Sequence, residues 1–326
     1  MRQYILKRLL LAIPTLIGVS LVVFFMLRIL PGDIVQQVAG DNEVTPEVRA
    51  RIEEDLGLDR PAYEEYFDWL GGVLTLDFGR SLRDRTPIND RLSDALPTTI
   101  EMAGLALIIS LIIALPVGII SAIRQDTIID YVSRSVAIGA LAIPTFWLGT
   151  MIIVFSSNWF NWATPLPADY RQLWEDPWAN LQYMIFPFGN FIPLGPSVVL
   201  GVSLSGTVMR LTRTQMLEVQ RQDYVRTAWA KGLHERSIIV GHALKNALIP
   251  VVTVVGLQIP ILVGGSVVVE SIYNVPGIGQ WFYAAMLQRD YTVVQGIALL
   301  TAVAVVLSNL LVDVTYAYLD PRIRYS

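Results

Sequence analysis

The sequence predicts an all-α integral membrane protein with six transmembrane helices and both termini on the cytoplasmic side. The first observation is composition, since 53% of the 326 residues are hydrophobic, 16% are charged, and the mean hydropathy is +0.51. The second is that the apolar residues form six blocks, each long enough to cross about 30 Å of hydrocarbon as a helix. The third is that Lys and Arg accumulate on alternate connections between these blocks, which is the pattern that orients membrane proteins.

Six uninterrupted runs without a charged residue form these blocks. They occupy residues 9–27, 102–123, 135–168, 177–209, 246–269 and 291–312. Together with their flanking residues, they predict spans at 9–30, 97–123, 135–158, 191–217, 247–269 and 291–319. Between the third and fourth spans stand four tryptophans, which are typical of a membrane interface and leave 159–190 as a loop. They are Trp159, Trp162, Trp174 and Trp178.

The basic residues indicate the orientation of the chain. They precede the first span and flank the connection after the second, at Arg2, Lys7, Arg8, Arg124 and Arg134. Residues 210–245 hold seven Lys or Arg and three Asp or Glu, whereas residues 32–96 hold fifteen acidic and seven basic residues. By the positive-inside rule, the basic side is cytoplasmic. The cytoplasmic segments are then 1–8, 218–246 and 320–326, and the extracytoplasmic ones are 31–96, 159–190 and 270–290.

The extracytoplasmic region 31–96 is predicted to be a small helical cap between the first two spans. Thr45, Pro46 and Glu47 are typical of a helix start. A second helix follows Pro61, with apolar side chains at helical spacing: Tyr63, Tyr66, Phe67, Leu70 and Leu74. This stripe either packs inside the cap or lines a substrate site. After the cap, Thr98 and Glu101 form a capping-box pattern, which predicts the start of the second span.

Missing motifs exclude several classes of protein. The chain has no cysteine, no G-x-x-x-x-G-K-[ST] phosphate-binding loop and no H-E-x-x-H zinc motif. Its two histidines, His234 and His242, both lie in the basic segment, so the sequence gives no reason to expect an enzyme. The net charge of −4 comes mostly from the region 31–96 and does not indicate nucleic-acid binding. A signal peptide at 1–30 is the alternative interpretation of the first span, but such apolar runs are usually about 7–15 residues long.

Polar residues within the spans are candidates for a translocation pathway. Asp313 lies about twenty residues into the last span, near the cytoplasmic interface, and is either interfacial or functional. Gln258 and Asn309 either hydrogen-bond between helices or line the pathway. Pro144 is expected to kink the third span, and Phe146 beside the kink is the third pathway candidate.

The basic segment 210–245 is expected to dock a soluble partner. Burying it in lipid would cost on the order of 20 kcal/mol, at about 2.5–3.5 kcal/mol for each basic residue. It therefore lies in water, although it carries several apolar side chains. They are Tyr224, Val225, Ala228, Trp229 and Leu233.

In this segment the chain resembles the permeases of ABC importers. Ala228 and Gly232 have the spacing of the cytoplasmic coupling loop, or EAA motif, and Pro250 closes the segment. Arg226 and Thr227 stand where Glu and Ala are typical. This departure is similar to the dipeptide, oligopeptide and nickel permease branch, and specifically to its first (B-type) transmembrane subunit. Further matches lie at 1–14, 78–82, 86–88, 143–149, 221–228, 242–250 and 270–279.

This resemblance implies the six-helix ABC-importer permease fold and a role as half of a pore in the bacterial cytoplasmic (inner) membrane. It implies a homologous second permease as the other half of a heterodimer, two cytosolic ABC ATPases that bind ATP and Mg²⁺, and an extracytoplasmic substrate-binding protein. The chain itself would bind no cofactor, metal or nucleic acid, and would couple ATPase movement to alternating access.

The resemblance also implies functional residues. Those that would contact an ATPase are Tyr224, Arg226, Thr227, Ala228, Lys231, Gly232, Leu233, Asn246 and Pro250. Because they are four residues apart, Ala228 and Gly232 are expected to share one helix face. Those that would face the binding protein are Glu270, Tyr273, Pro276 and Gly277.

Di- or oligopeptides are the expected cargo. Nickel, glutathione or another small solute carried by the same importer type is the alternative. A secondary transporter or channel is the alternative from another class, and it would not explain an apolar docking helix in the cytosol.

Overall fold

The structure is a computed structural model that describes residues 2–29, 34–39, 44–55, 57–161, 167–187 and 194–319. The expected cytoplasmic tail 320–326, residue 162 of the tryptophan group and the first residues of the expected fourth span, 191–193, lie outside these ranges, and the Asp313 side chain is likewise not described. Within them the chain is helical, and the one β pairing is an isolated bridge between Arg80 and Pro87.

The described residues form fourteen α-helices. In the first half of the chain they are α1 (Arg2–Ile29), α2 (Ile34–Ala39), α3 (Pro46–Asp55), α4 (Ala62–Leu74), α5 (Ile88–Ile123), α6 (Ile128–Ala142) and α7 (Thr145–Phe160). In the second half they are α8 (Pro177–Met184), α9 (Pro196–Gln220), α10 (Asp223–Ala230), α11 (Glu235–Ser237), α12 (Leu244–Tyr273), α13 (Ile278–Leu287) and α14 (Tyr291–Leu319). A π-helical stretch, Ile238–Ala243, joins α11 to α12.

Four helical stretches among the described residues are long and apolar enough to cross a membrane. They are Arg8–Met26, Ile88–Ile123, Glu235–Ile259 and Tyr291–Val312. A fifth span results if α6 and α7 are counted together, although these two helices are bent by 96° relative to each other.

The bend between α6 and α7 follows from Pro144. Its ring disfavours the helical conformation of the preceding residue, and Ile143 is accordingly extended, with φ −83° and ψ 119°. Pro144 then forms the N-cap of α7. The kink expected at Pro144 is thus a complete break, and the single helix expected at 135–158 is two helices.

The helix α9 coincides with the predicted fourth span but is less apolar than the four stretches above. Three of its polar side chains are buried, since Ser197, Ser205 and Thr212 are 0%, 2% and 0% exposed. Because these polar groups are shielded by neighbouring helices, the helix does not need a uniformly apolar sequence.

One compact unit comprises Ile100–Val275 and Ser308–Ser326. Within it, α9 is the central helix and packs against α6, α7 and α12. Two glycines of α9 allow its backbone to approach its neighbours closely. A Cβ atom at Gly201 would lie 2.8 Å from the Ala106 carbonyl oxygen of α5, and one at Gly206 would lie 2.8 Å from the Ala137 carbonyl oxygen of α6. Small residues play this role in many helix pairs of membrane proteins.

The other compact unit comprises Arg2–Thr99 and Pro276–Leu307. Its core contains Phe78, Ile88 and Trp281. Asp290 fixes the loop before α5, because its carboxylate accepts hydrogen bonds from the Ser81 hydroxyl at 2.5 Å and from the Leu82 amide at 3.2 Å.

The loop before α5 is also tied to α3 by a half-exposed ion pair. The Arg85 guanidinium donates to the Asp55 carboxylate at 2.5 Å. This contact holds the pKa of Asp55 below its ordinary value and raises that of Arg85.

The second span begins earlier than its capping-box pattern predicts, and that prediction is wrong. The helix α5 starts at Ile88, so Thr98 lies in its interior, where its hydroxyl donates to the Asp94 carbonyl at 3.2 Å. The preceding turns are helical because Ile88 and Ala95 are buried in the core of their unit, at 1% and 5% exposure. Glu101 instead accepts a hydrogen bond from the Tyr170 hydroxyl at 3.0 Å.

Candidate functional site

The candidate site is the coupling segment, residues 221–250, which follows α9. Its first helix, α10, is two turns long and stops at a Schellman motif. The Gly232 amide donates to the Trp229 carbonyl at 2.9 Å, and the Leu233 amide donates to the Ala228 carbonyl at 3.4 Å. Gly232 adopts a φ of +74°, which costs a glycine little and an L-residue with a side chain more. The local sequence therefore sets the length of α10.

The inner face of α10 is packed against the rest of the chain. Val225 and Ala228 are 0% and 7% exposed. They join a cluster that includes Met216 of α9, Ile238 of the π-helical stretch and Ala247 of α12. Because complete burial of a valine stabilises by about 1.5–3 kcal/mol, α10 is expected to move together with these elements.

The outer face of α10 carries the exposed apolar and basic side chains. Tyr224, Trp229 and Leu233 are 38%, 50% and 41% exposed. Arg226 approaches Asp223 at 3.6 Å, but both side chains are largely in water, so this contact contributes little. The predicted contact residues Thr227 and Lys231 are also exposed. This mixture of aromatic, aliphatic and cationic groups is typical of a docking surface.

Two expectations for this segment need correction. Ala228 and Gly232 do not share a helix face, because α10 ends at Ala230 and Gly232 lies in the turn. Ala228 is directed at the cluster inside the chain and not at a partner. The spacing of four residues suggested a continuous helix because the positive φ of Gly232 cannot be read from spacing alone.

A hydrogen-bonded bridge joins α10 to the start of α12. Asn246 Nδ2 donates to the Tyr224 hydroxyl at 2.6 Å, and the Tyr224 hydroxyl lies 3.5 Å from the His242 carbonyl oxygen. His242 is in the π-helical stretch, a local widening often found at functional sites. Pro250, one turn after Asn246, removes a further backbone donor from α12. The structure thus brings the side chains of Tyr224 and Asn246 together.

A buried ion pair near this segment was not predicted from the sequence. Asp130 of α6 is completely buried and accepts two hydrogen bonds from the Arg213 guanidinium of α9, each at 2.7 Å. The Ser121 hydroxyl of α5 and the Asp126 amide also donate to it, at 2.6 Å and 3.1 Å. These hydrogen bonds, called the clamp below, join α5, α6 and α9. They lie two turns before α9 ends and the coupling segment begins.

One signal in the sequence could have indicated the clamp. Asp130 follows Ile128 and Ile129 at the start of an apolar helix, and a carboxylate in such a place needs a partner. The two isoleucines beside it are exposed, Ile128 at 80% and Ile129 at 52%, while Asp130 is buried. The helix therefore turns this carboxylate inward and these apolar groups outward.

The three pathway candidates lie on three different helices. Gln258 of α12 is 5% exposed, its Nε2 lies 3.5 Å from the Leu204 carbonyl oxygen, and its Oε1 has no protein partner. Asn309 of α14 and Phe146 of α7 are exposed on their helices. Of the three, Gln258 combines burial with an unpaired polar atom.

Three of the four residues expected to face a binding protein are buried within the chain. Glu270 and Tyr273 are 0% and 1% exposed, and Gly277 is buried. The apolar run stops at Val269, but α12 continues to Tyr273, whose hydroxyl donates to the Leu194 carbonyl at 3.0 Å. Pro276 is half-buried.

Comparison with known proteins gives the family. Residues 114–325 match the family described as "Binding-protein-dependent transport system inner membrane component". Residues 1–103 match the N-terminal domain described as "Binding-prot-dependent transport system membrane comp, N-term". The chain belongs to this family of transport-system membrane components. It is therefore a multi-pass membrane protein, and its apolar helices agree with that assignment.

Several curated members of the family are similar along their whole length. The dipeptide transport system permease protein DppB of Escherichia coli K12 is 38% identical over 338 residues, covering 100% of this chain and 99% of the relative. DppB of Alkalihalophilus pseudofirmus is 38% identical over 346 residues, with complete coverage of both chains. The oligopeptide transport system permease protein AppB of Bacillus subtilis is 37% identical over 326 residues, again with complete coverage.

Proposed function

We propose that the chain is one of two transmembrane permease subunits of an ATP-driven importer of di- or oligopeptides. The observation that carries this proposal is the 37–38% identity to dipeptide and oligopeptide permeases over 99–100% of their length. Full-length similarity extends the likeness beyond the coupling motif to the membrane helices that would form the pathway.

Membership of the family supports a larger assembly around the chain. A homologous second permease completes the pore, two cytosolic ABC ATPases hold ATP and Mg²⁺, and an extracytoplasmic binding protein delivers the substrate. The chain crosses the bacterial inner membrane six times, with α9 and the bent pair α6–α7 added to the four long apolar stretches. Both termini are cytoplasmic, in keeping with the basic residues of the coupling segment.

Movement of the ATPases acts on the coupling segment. The exposed side chains Tyr224 and Trp229 of α10, with Leu233 just after it, dock on an ATPase, and Arg226 and Lys231 lie at the rim. When ATP draws the two ATPases together, α10 moves with them. The movement shifts the population between inward-facing and outward-facing states, to the extent that the ATPase contacts favour one state over the other.

The contacts between α10 and the rest of the chain transmit this movement to the membrane helices. The buried cluster at Val225 and Ala228 transmits it to α9 and α12, and the Tyr224–Asn246 hydrogen bond reinforces the second of these connections. The clamp between Asp130 and Arg213 extends it to α5 and α6. In the membrane, Gln258 lines the pathway and offers its unpaired oxygen to passing substrate.

The complex purified through this chain from its native membrane tests the proposal. ATP hydrolysis is measured in liposomes with the co-encoded binding protein and, in turn, a dipeptide, a longer peptide, glutathione and nickel. We expect a peptide to stimulate hydrolysis and to accumulate in the liposomes. Stimulation by nickel or glutathione alone would overturn the substrate assignment. Failure of any ATPase to copurify or to crosslink in membranes would overturn the importer assignment as a whole.

A further inference from the structure

The helix α4 carries two apolar stripes, and the described residues of the chain cover only one of them. On the inner stripe, the Tyr66 hydroxyl lies 2.8 Å from the Ser20 hydroxyl of α1, and the Tyr66 and Trp69 rings lie 5.4 Å and 5.6 Å from the Phe24 ring. Tyr66 is 7% exposed as a result. The inner stripe thus fixes α4 against α1, within the same compact unit.

The outer stripe has no such cover. Tyr63, Phe67 and Leu74 are 64%, 65% and 77% exposed. At about 100° per residue, they lie within a sector of about 40° beside the inner stripe. The acidic residues Glu64 and Asp68 lie on one flank of this stripe, about 80° and 120° from its centre, and the Tyr63 hydroxyl donates to the Glu64 carboxylate at 3.2 Å. The sequence left open whether the five apolar residues of α4 pack inside the cap, and three of them are exposed.

The contacts with α1 place α4 at a definite depth. Ser20 and Phe24 lie seven and three residues before residue 27, where the apolar run of α1 ends. At 1.5 Å per residue, these contacts are about 10 Å and 5 Å inside the apolar run. Amphipathic helices on a membrane surface bury their apolar face by about 5–10 Å. Away from these contacts, α1 exposes apolar side chains of its own, with Leu21 and Val22 at 37% and 71%.

We propose that α4 lies in the bilayer interface, with the stripe of Tyr63, Phe67 and Leu74 inserted among phospholipid acyl chains and its acidic face toward water. The occupant of the stripe is therefore the same lipid that surrounds α1. Aromatic residues such as Tyr63 and Phe67 suit the boundary between headgroups and acyl chains. The region between the first two spans is then anchored to the membrane surface along α4 and does not stand free in water.

Spin labels on single cysteines test this placement. The chain contains no cysteine, so each variant carries one labelling site in this subunit. The variants are Phe67→Cys and Tyr63→Cys on the stripe, with Asp68→Cys and Glu64→Cys as their neighbouring controls on the acidic face. The complete importer is reconstituted in phospholipid nanodiscs. Collision of each label with apolar molecular oxygen and with a water-soluble nickel chelate is then measured by electron paramagnetic resonance.

The proposal predicts opposite accessibilities on the two faces. Labels at 63 and 67 should collide several-fold more with oxygen, and several-fold less with the nickel chelate, than labels at 64 and 68. Equal access of the chelate to both faces would show that the stripe is in water and would overturn the proposal. Protection of 63 and 67 from both reagents would show a protein partner on the stripe and would also overturn it. Both residues are mostly exposed, although the Phe67 ring contacts the edge of the buried Tyr66 ring. Peptide uptake by each variant therefore confirms that it is assembled.

Discussion

Replacing Asp130 by Asn tests whether the clamp carries movement from the coupling segment into the membrane helices. Asp130 accepts two hydrogen bonds from Arg213 and one each from Ser121 and the Asp126 amide. An asparagine side chain has one acceptor oxygen, so two of these donors would face an NH₂ group. The guanidinium of Arg213 would also lose its counter-charge.

The size of the effect follows from the burial of the pair. Removing one member of a buried ion pair costs about 3–5 kcal/mol. Asp130 is fully buried, but the Arg213 side chain is 18% exposed and partly solvated, so the low end, about 3 kcal/mol, applies. At about 1.4 kcal/mol for each tenfold change, the equilibrium between clamped and released helices shifts by about a hundredfold.

The assay is the amount of peptide taken up per ATP hydrolysed by the importer in liposomes. We expect this ratio to fall in the Asp130→Asn variant well below its melting temperature, because α10 would move without carrying α6. The matched controls are Asp126→Asn and Arg210→Lys, since both side chains are exposed and lie close to the clamp in sequence. Asparagine also tolerates the φ of +60° found at Asp126.

A double variant separates coupling from stability. Arg213→Gln alone leaves a buried carboxylate unpaired, whereas Asp130→Asn with Arg213→Gln leaves two neutral groups, so the double variant should melt at a higher temperature than Arg213→Gln. If Asp130→Asn lowers the melting temperature but keeps the wild-type uptake per ATP, the clamp has only a structural role and the reasoning is refuted.

Four further predictions concern other contacts. Gly232→Asn should retain transport because Asn tolerates positive φ. Gly232→Glu should abolish uptake, although immunoblots of the membrane fraction should show normal insertion. The chain has no atom within 4 Å of a Cβ at Gly232, so wild-type uptake by the Glu variant would show that no partner approaches there. Tyr224→Phe removes the hydroxyl bonded to Asn246 and should lower uptake per ATP by about fivefold, as expected for about 1 kcal/mol; an unchanged ratio would exclude this bridge from coupling. Gln258→Ala should change the ranking of peptides in competition uptake, and a change in melting temperature alone would make Gln258 a packing residue. Arg85 lowers the pKa of Asp55, so their ion pair stabilises the loop fully at pH values above the ordinary carboxyl pKa. This stabilisation is lost as the pH falls through the lowered pKa of Asp55, and protease cleavage near residue 85 should then increase. Asp55→Asn should remove this pH dependence of cleavage.

The sequence was sufficient for the helical class, because that class depends on local signals. Blocks of apolar residues require no knowledge of tertiary contacts. Pro144 was likewise legible as a site where a helix bends. At Pro144 the sequence predicted only a kink, whereas the structure has two helices bent by 96° relative to each other.

The residues that the sequence misplaced are those whose roles depend on packing. Glu270 was taken to close a helix because it ends an apolar run, yet the helix continues and buries it. Thr98 and Glu101 fit a capping box, but burial of Ile88 starts the helix ten residues earlier. Asp130 and Arg213 are 83 residues apart in the sequence, and nothing local connects them.

The contacts behind the coupling segment favour transmission through several helices rather than through α12 alone. Three features of different chemistry meet there: the apolar cluster at Val225, the hydrogen bond of Tyr224 and the ion pair of Asp130. They connect α10 to α9 and α12, and α9 in turn to α5 and α6. Loss of the Tyr224 hydroxyl should therefore weaken one connection and leave the others, whereas loss of the Asp130 charge should release two helices at once. The order of the two variants in uptake per ATP distinguishes this arrangement from a single lever at α12, for which Tyr224→Phe would be the more damaging change.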